Sequence, residues 1–230
     1  MGPRRSRSGS YGRKAPGFQW RLLLVAAFCA FLMAPVAHAA APLKIVALGD
    51  SLTAGYGLPG DQAFPARLQK ALDAKGDDVT IVNAGVSGDT TTAGLDRLAW
   101  SVPDDTAGVI LELGANDALR GVDPQVTKAT LEKILDRLAK RHIPVLLAGM
   151  QSPRNMGPEY VKTFDAIYPA LAAHHDVIFY PFFLAGVAAD PKLNQADGMH
   201  PNPKGVDIIV QRMLPSVEQL IARAKKARQS

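Results

Sequence analysis

The segment LKIVALGDSLTAGYG, Leu43 to Gly57, joins a strand-like run to a turn that carries a serine. Apolar residues dominate the run that ends at Leu48, and such a run predicts a strand buried on both faces of a parallel sheet. Ser51 follows that strand by only two residues, where a serine is either part of a helix-capping turn or a nucleophile. The choice depends on what the other strands bring to the same edge of the sheet.

Four further segments of strand length recur along the chain, with helical patterns between them. They are VTIVNA (79 to 84), GVILEL (108 to 113), IPVLLAGM (143 to 150) and DVIFYPFF (176 to 183). Strands that alternate with helices are joined by right-handed crossovers and pair in parallel. The sequence therefore predicts one three-layer α/β domain with a parallel five-stranded sheet.

Helix start signals stand between these strands. They are Asp123-Pro124, Asn202-Pro203, and Asp61 with Pro65 in the first turn. An Asn or Asp cap followed by proline suits the first helical turn, because proline lacks only a donor that the helix does not use there. Pro215 falls inside the last helical pattern, and we expect it to kink or split that helix.

The first 39 residues have the pattern of a secretory signal peptide. Basic residues precede the apolar run LLLVAAFCAFLMAPVA (22 to 37), and Ala37-His38-Ala39 is a cleavage-site pattern. The run is 16 residues long, whereas a membrane span needs about 20 residues. We therefore expect residues 1–39 to be a signal peptide, residues 40–230 to be a single exported domain, and no stable membrane anchor to remain. An uncleaved anchor is the alternative.

Removal of this leader changes the charge of the chain. All six charges of the leader are basic, so 20 of the 26 Lys and Arg remain beside 21 Asp and Glu, for a net charge of −1. The sequence pI of about 9.4 is thus no argument for a nucleic-acid partner. The single cysteine, Cys29, lies in the leader, which excludes disulfides, thiolate metal sites and a cysteine nucleophile from the mature chain.

Four polar motifs follow the predicted strands. They are GDS (49 to 51), GVSGDTT (85 to 91), GANDAL (114 to 119) and DGMHP (197 to 201), the last just before the final helix. Ligands of open α/β sheets bind in the crevice at the carboxyl ends of the strands. All four loops are predicted to open onto that crevice.

The residue types of these loops fit nucleophilic catalysis. Ser51 needs a base, and His200 stands three residues after Asp197, a carboxylate that can hold the imidazole in one tautomer. The backbone N–H groups of Ser51 and Gly88 and the side-chain amide of Asn116 can donate to a developing oxyanion. Each motif alone is more often a structural turn, but their conjunction favours an enzyme.

A dinucleotide-binding site is a rival hypothesis, because GYGLPG (55 to 60) satisfies G-x-G-x-x-G. Gly55, however, comes seven residues after Leu48, and Pro59 removes an N–H where a phosphate needs one. A loop beside the site is the simpler interpretation.

A metal site and a binding role without catalysis also stay open. A metal-dependent hydrolase could use Asp50, Asp117, Asp197 and His200, although only one histidine lies on this edge. A secreted binding protein without activity is compatible with the fold as well, because fold does not fix function. Asp50 and Asp117 are more simply explained as acids that accept hydrogen bonds from loop backbone.

The segments GDSLTAGYG, NAGVSGDTT, LGANDALRG and DGMHPN resemble the four sequence blocks of the SGNH, or GDSL-type, hydrolases, across nearly all of residues 43 to 220. The resemblance implies a flavodoxin-like fold and hydrolysis of acyl esters or thioesters without a cofactor or metal. It assigns Ser51 as nucleophile, His200 as base, Asp197 as its orienting acid, and Gly88 and Asn116 as oxyanion donors. Within the family, the chain is similar to periplasmic arylesterases, acyl thioesterases and lysophospholipases.

The sequence also predicts an apolar substrate groove and departs from the family in two loops. We expect Leu52, Leu119, Met150 and Phe183 to contact the acyl group. Gly85 competes with Gly88 for the oxyanion role, and we favour Gly88 because its SGD run matches the family. Ala115 stands where the branch often has glycine, and MQSPRNMGPEY (150 to 160) is shorter than the corresponding loop. Both departures concern substrate preference.

Overall fold

A computed structural model describes residues 1–2, 9 and 41–229 of the 230-residue chain. The chain separates into two units, Met1–Ala41 and Pro42–Ser230, and the elements below all belong to the second. Nearly all of the predicted signal peptide, residues 1–39, lies outside the described residues. Among the residues described, no helix is long and apolar enough to cross a membrane.

The sheet has five strands in the order β2-β1-β3-β4-β5, and every pair is parallel. The strands are β1 (Leu43–Gly49), β2 (Val79–Gly85), β3 (Gly108–Glu112), β4 (Val145–Ala148) and β5 (Ile178–Tyr180). In the register, Gly49 at the end of β1 pairs with Gly85 and with Glu112. The ends of β2, β1 and β3 are therefore level, which brings the loops that follow them together. The predicted α/β architecture is confirmed.

Helices connect the strands. They are α1 (Ser51–Ala54), α2 (Phe64–Asp73), α3 (Thr91–Asp96), α4 (Leu98–Ser101), α5 (Ala115–Leu119), α6 (Pro124–Lys140), α7 (Pro158–Asp165), α8 (Ile167–His174) and α9 (Pro203–Gln229). The chain steps one way from β1 to β2 and the other way from β3 to β5, so right-handed crossovers place helices on both faces. On one side α9 packs against α2, and on the other α6 packs against α3 and α8.

The core explains why the central strands read as continuous apolar runs. All five residues of β3 are buried, and so are all four of β4. Helix α6 begins at the predicted cap, where the Asp123 carboxylate accepts the Gln125 N–H at 2.9 Å, and it buries Leu131, Ile134 and Leu138. Glu112 is the one charged residue in these two strands, and it too is buried.

Several predicted element limits differ from the structure, those of α2 and β5 among them. Asp61 lies in a short 3₁₀ turn, Gly60–Gln62, and α2 begins only at Phe64 with Pro65 in its first turn. The fifth strand is limited to Ile178–Tyr180 rather than 176–183. Pro181 has no N–H to continue the ladder, and the chain bends so that the Phe183 N–H donates to the Gly149 carbonyl at 2.8 Å.

Pro215 does not split the last helix, which was one of the two outcomes expected for it, because α9 continues from Pro203 to Gln229. Pro215 is exposed, while Met213 and Val217 on either side of it are fully buried. A proline inside a helix removes one hydrogen bond. Apolar packing before and after Pro215 offsets that loss, and the helix continues past the proline.

Candidate active site

Ser51, His200 and Asp197 form a continuous hydrogen-bonded chain. Ser51 is the first residue of α1, directly after β1, and its Oγ lies 2.9 Å from His200 Nε2. His200 Nδ1 lies 2.6 Å from Asp197 Oδ2. A carboxylate can only accept, so Nδ1 carries the proton and Nε2 is left to accept from the serine hydroxyl. The sequence placed these three residues at one edge, and the structure brings them into contact.

The carboxylate of Asp197 is held by its own loop. Its Oδ1 accepts the backbone N–H groups of Met199 at 2.9 Å and His200 at 3.0 Å. These two backbone bonds, the His200 bond first, and then the His200 side chain lower the pKa of Asp197 to about 2. Hydrogen bonds to a charged carboxylate favour that form. Asp197 is therefore ionised throughout the neutral range and can stabilise a charged imidazolium.

The loop that contains Tyr56 packs against the catalytic histidine. The Tyr56 and His200 rings lie 4.7 Å apart between centroids. Gln195 connects the two loops, because its Nε2 donates to the Tyr56 carbonyl at 2.8 Å while its backbone N–H donates to the His200 carbonyl at 2.7 Å. The GYGLPG segment is thus a loop beside the site.

The predicted oxyanion donors lie on the two neighbouring loops. Asn116, in α5 after β3, lines the groove next to Ser51 and donates from Nδ2 to Asp50 Oδ2 at 3.2 Å. Gly88, on the loop after β2, has φ +89°, a conformation that glycine adopts without strain. Its carbonyl accepts from Arg120 at 2.8 Å. Gly88 is not among the residues that line the groove.

Gly85, the competing candidate, has a packing role. A Cβ atom at Gly85 would lie 2.3 Å from the backbone nitrogen of Ala54. Only glycine lets α1 approach the end of β2 this closely. The structure therefore accounts for Gly85 without an oxyanion role, which leaves Gly88 as the better candidate.

A groove of about 540 Å³ opens beside Ser51, within the size range of small-molecule sites. Its apolar lining includes the predicted Leu52, Leu119 and Met150. It also includes Ala115, Phe182, Leu184, Ala188, Ala189 and Met199, with Gln151, Ser152 and Arg154 as polar members. The groove is open to solvent, and Ser51 and His200 are part of its lining.

Phe183 does not line this groove, contrary to the prediction. Its side chain is fully buried and packs edge-on against Phe64, with ring centroids 5.1 Å apart. The preceding residue, Phe182, faces the groove instead. The bend at Pro181 ends the strand alternation, so the face that each phenylalanine occupies does not follow from its position in the run.

Comparison with known proteins agrees with this geometry. The model of the GDSL-like lipase/acylhydrolase family matches residues 47–208, which contain all four loops. The chain belongs to this family. The functional-site loops of this GDSL-like protein are therefore the sequence blocks that the resemblance indicated.

Relatives cover most of this GDSL-like chain. It is 38% identical over 205 residues to "Thioesterase 1/protease 1/lysophospholipase L1" of Escherichia coli (strain K12), covering 89% of this chain and 95% of that one. It is 41% identical over 162 residues to an "Arylesterase" of Vibrio mimicus, covering 70% and 81%. The solved structure of a psychrotrophic esterase, EstA from Pseudoalteromonas sp., inhibited by monoethylphosphonate, matches with TM-score 0.74 and 30% identity over 78% and 98%.

Three supporting residues of the GDSL-like site were not found from the sequence. Arg97 is buried and donates to the carbonyls of Gly49 and Ala84, each at 2.8 Å, which ties the ends of β1 and β2 together. Arg120 holds the Gly88 carbonyl, and Glu112 lies below α1. For Arg97 and Glu112 the available signal was a charged residue within or next to an apolar segment, which indicates burial but not the partner; exposed Arg120 carried no such signal.

The acids that a metal-dependent mechanism would require are already engaged with the loops. Asp117 accepts the Thr91 N–H at 2.8 Å and its hydroxyl at 2.6 Å, and Asp50 accepts the Leu52 N–H at 3.0 Å. Both acids therefore have the predicted role as acceptors for loop backbone. Within residues 41–229, no group of three His, Cys, Asp or Glu side chains is placed to hold a metal ion.

Proposed function

We propose that this protein is a serine hydrolase that cleaves carboxylic esters and thioesters through an acyl-enzyme. The observation that carries the proposal is the Ser51–His200–Asp197 chain, with its 2.9 Å and 2.6 Å contacts, beside a largely apolar groove that Ser51 and His200 line. Membership in the GDSL-like lipase/acylhydrolase family supports it. Within this proposal no metal or organic cofactor takes part.

In the first half of the reaction, Ser51 Oγ attacks the acyl carbonyl carbon while His200 Nε2 takes the hydroxyl proton. The carbonyl oxygen becomes an oxyanion that accepts from the Ser51 and Gly88 N–H groups and the Asn116 amide. The imidazolium then transfers its proton to the leaving alcohol or thiol as the carbonyl re-forms. The product is Ser51 acylated on Oγ.

In the second half, water replaces the serine hydroxyl as nucleophile. His200 Nε2 takes a proton from the water while the water oxygen attacks the acyl carbon. The Ser51 and Gly88 N–H groups and the Asn116 amide hold the second oxyanion. Collapse expels Ser51 Oγ, which recovers the proton from His200. A carboxylic acid leaves, and Asp197 remains ionised through both halves.

The groove supports an acyl chain as the recognised part of the substrate. Leu52, Leu119 and Met150 line it near Ser51, and Leu184 and Ala188 extend the apolar surface. The relatives bear the names of arylesterase, thioesterase and lysophospholipase, whose substrates share an acyl group and differ in the leaving group. We therefore propose small-molecule acyl esters and thioesters as the substrate class.

We further propose that the domain acts after export, in the periplasm or outside the cell. Residues 1–39 have the order of charges, apolar run and cleavage pattern of a signal peptide. Mass spectrometry of the protein purified from a periplasmic fraction tests this. An N-terminus near Ala40 is expected, whereas an intact Met1 in a membrane fraction would contradict it.

The test of the function is hydrolysis of p-nitrophenyl acyl esters, from acetate to palmitate, by the chain that begins at Ala40. We expect activity that survives a chelator and is lost in Ser51→Ala. A phosphonate inhibitor should add its mass to the wild type and not to Ser51→Ala, as a serine nucleophile requires. Loss with the chelator would favour a metal-dependent mechanism. No hydrolysis and no phosphonate adduct would favour a binding protein.

A further inference from the structure

Glu112 is a buried acid that the mechanism above does not use. It ends β3, and its side chain is fully buried. Its Oε2 accepts the Thr53 hydroxyl at 2.7 Å and the Asp50 N–H at 3.4 Å, while Oε1 is buried without a hydrogen-bond partner. Neither partner is a cation. An ionised carboxylate in this place would have hydrogen bonds but no countercharge among its partners, so a neutral one is favoured.

The backbone around Glu112 is shaped to let it reach α1. A Cβ atom at Gly49 would lie 2.6 Å from Glu112 Oε2 and 2.1 Å from Thr53 Oγ1. Only glycine at the end of β1 leaves room for this hydrogen bond. The hydrogen bond between Glu112 and Thr53 thus depends on the glycine at the end of the strand that precedes Ser51.

Asp50 connects this buried acid to the oxyanion donor. Its backbone N–H points to Glu112, while its carboxylate accepts the Leu52 N–H at 3.0 Å and Asn116 Nδ2 at 3.2 Å. The Asn116 amide has two hydrogens on Nδ2. With one held by Asp50, the other remains for a ligand in the groove that Asn116 lines.

Two acids in one dry region do not both ionise. Burial, and then the charge of Asp50, raise the pKa of Glu112 well above its usual value. Burial raises the pKa of Asp50 to about 6, against the opposing hydrogen bonds from Leu52 and Asn116. The nearby charged groups of other elements are Asp117, which raises the Asp50 pKa, and His200, which lowers it. At neutral pH, Asp50 is therefore the ionised member.

We propose that Glu112 is a positioning residue for the proposed hydrolysis. Its neutral carboxyl group fixes Thr53 and the Asp50 backbone. The Asp50 carboxylate is thereby placed to orient the Asn116 amide toward the oxyanion. The inference rests on the proposed function. It assigns Glu112 no contact with substrate and no proton transfer.

The first experiment compares Glu112→Ala with Glu112→Gln. Loss of the acceptor in Glu112→Ala should lower kcat by about 10- to 100-fold with KM changed less than about twofold, because the oxyanion contact forms only in the transition state. Glutamine is the isostere of a neutral glutamic acid, so Glu112→Gln should recover most of that kcat. Glu132→Ala, an exposed glutamate of α6, is the matched control and should keep wild-type kcat.

Two outcomes of this comparison would overturn the proposal. Equal damage from Glu112→Gln and Glu112→Ala would mean that an ionised carboxylate is required. Wild-type kcat in Glu112→Ala would mean that no positioning is needed. In the wild type at neutral pH we expect an infrared C=O band from a protonated carboxyl group, and this band should be absent in Glu112→Gln. The band is expected whether or not esters are cleaved. This band separates failure of the inference from failure of the proposed function.

A double-mutant cycle covers the case in which Glu112→Ala does not fold. Asp50→Asn places an NH₂ group where a carboxylate oxygen accepts, so it should turn the Asn116 amide and lower kcat by about 10- to 100-fold. In an Asn116→Ala background, the same change should cost less than about threefold, because interacting residues are not additive. Full additivity would show that Asp50 does not act through Asn116 and would overturn the proposal.

Discussion

Asp197 and Asp50 each reach the reacting atoms through one other side chain, but their surroundings are opposite. Asp197 bonds to His200, keeps 32% of its side-chain surface exposed and has its pKa lowered to about 2, chiefly by backbone N–H groups. Asp50 bonds to Asn116, is fully buried and has its pKa raised to about 6 by burial. Solvent and backbone N–H groups stabilise the charge of Asp197, whereas burial disfavours the charge of Asp50.

The difference follows from what each aspartate must do. Asp197 faces an imidazole that becomes positively charged during the reaction, so it has to remain ionised at every step. Asp50 faces a neutral amide whose orientation matters, and rigidity there comes from burial and packing. The comparison predicts that substitutions at the exposed acid reduce the rate strongly, and that the buried acids control both rate and stability.

The largest effect is expected at the exposed acid. Asp197→Asn should lower kcat by about 10⁴-fold, the order seen when the triad carboxylate of a serine protease is replaced by its amide. An amide at this position can leave His200 in the tautomer that does not accept from Ser51. Steady-state kinetics with a p-nitrophenyl ester measure the change.

Folding of Asp197→Asn should be nearly unaffected, since the residue lies in an exposed loop. A thermal melt within a few degrees of the wild type is the control. If Asp197→Asn keeps more than about a tenth of the wild-type kcat, the loop carboxylate does not orient His200.

A smaller loss is expected at the amide that the buried acid holds. Asn116→Ala removes one oxyanion donor and should lower kcat by about 10²- to 10³-fold with little change in KM. Ser87→Ala, on the neighbouring loop, is the matched control and should retain most activity. If both variants behave alike, Asn116 is not an oxyanion donor and the importance given to Asp50 is lost as well.

The sequence predicted the parts of this site that depend on topology. Parallel strands with level carboxyl ends bring their following loops together, so a serine after β1 and an asparagine after β3 could be placed side by side from their positions in the chain. The Asp197–His200 spacing was equally informative, because three residues on a tight loop leave few arrangements. What these contacts share is that the backbone alone nearly determines them.

Contacts across the core could not be predicted in this way. Glu112 in an apolar strand indicates a buried acid, but which groups face it depends on the register of β1 against β3 and on the space at Gly49. Phe182 lines the groove in place of the predicted Phe183 for a similar reason. The bend at Pro181 breaks the strand alternation on which the prediction depended. Continuous α9 shows that packing outweighs one missing hydrogen bond at Pro215.

Arg120 offers a third case, an exposed residue that positions backbone. Its guanidinium donates to the Gly88 carbonyl at 2.8 Å, and solvent competes for that bond, so we expect Arg120→Gln to lower kcat by only about tenfold. Arg137→Gln, an exposed arginine of α6, should have no effect on kcat. A loss as large as that of Asn116→Ala would show that solvent does not weaken this bond and that Arg120 matters as much as a direct oxyanion donor.

The last prediction concerns stability and compares exposed Asp197 with buried Glu112 by the sign of their pH dependence. Asp197 has a lowered folded-state pKa, so its contribution is fully present above about pH 4 and is lost as the pH falls toward 2. Glu112 has a raised pKa, so its folded form takes up a proton that the unfolded chain has released, and stability falls as the pH rises above about 4.5.

Removing the Glu112 titration should therefore stabilise the protein increasingly toward alkaline pH. The linkage slope is about 1.4 kcal/mol per pH unit, or roughly 3–5 °C in Tm for a domain of this size. The Tm difference between Glu112→Gln and wild type should thus grow as the pH rises above about 5, while that of Asp197→Asn stays constant. A flat difference for Glu112→Gln would mean that Glu112 has the same protonation folded and unfolded. Burial would then not distinguish the protonation of Glu112 from that of Asp197. A rate effect at Glu112 would in that case not depend on a neutral carboxyl group.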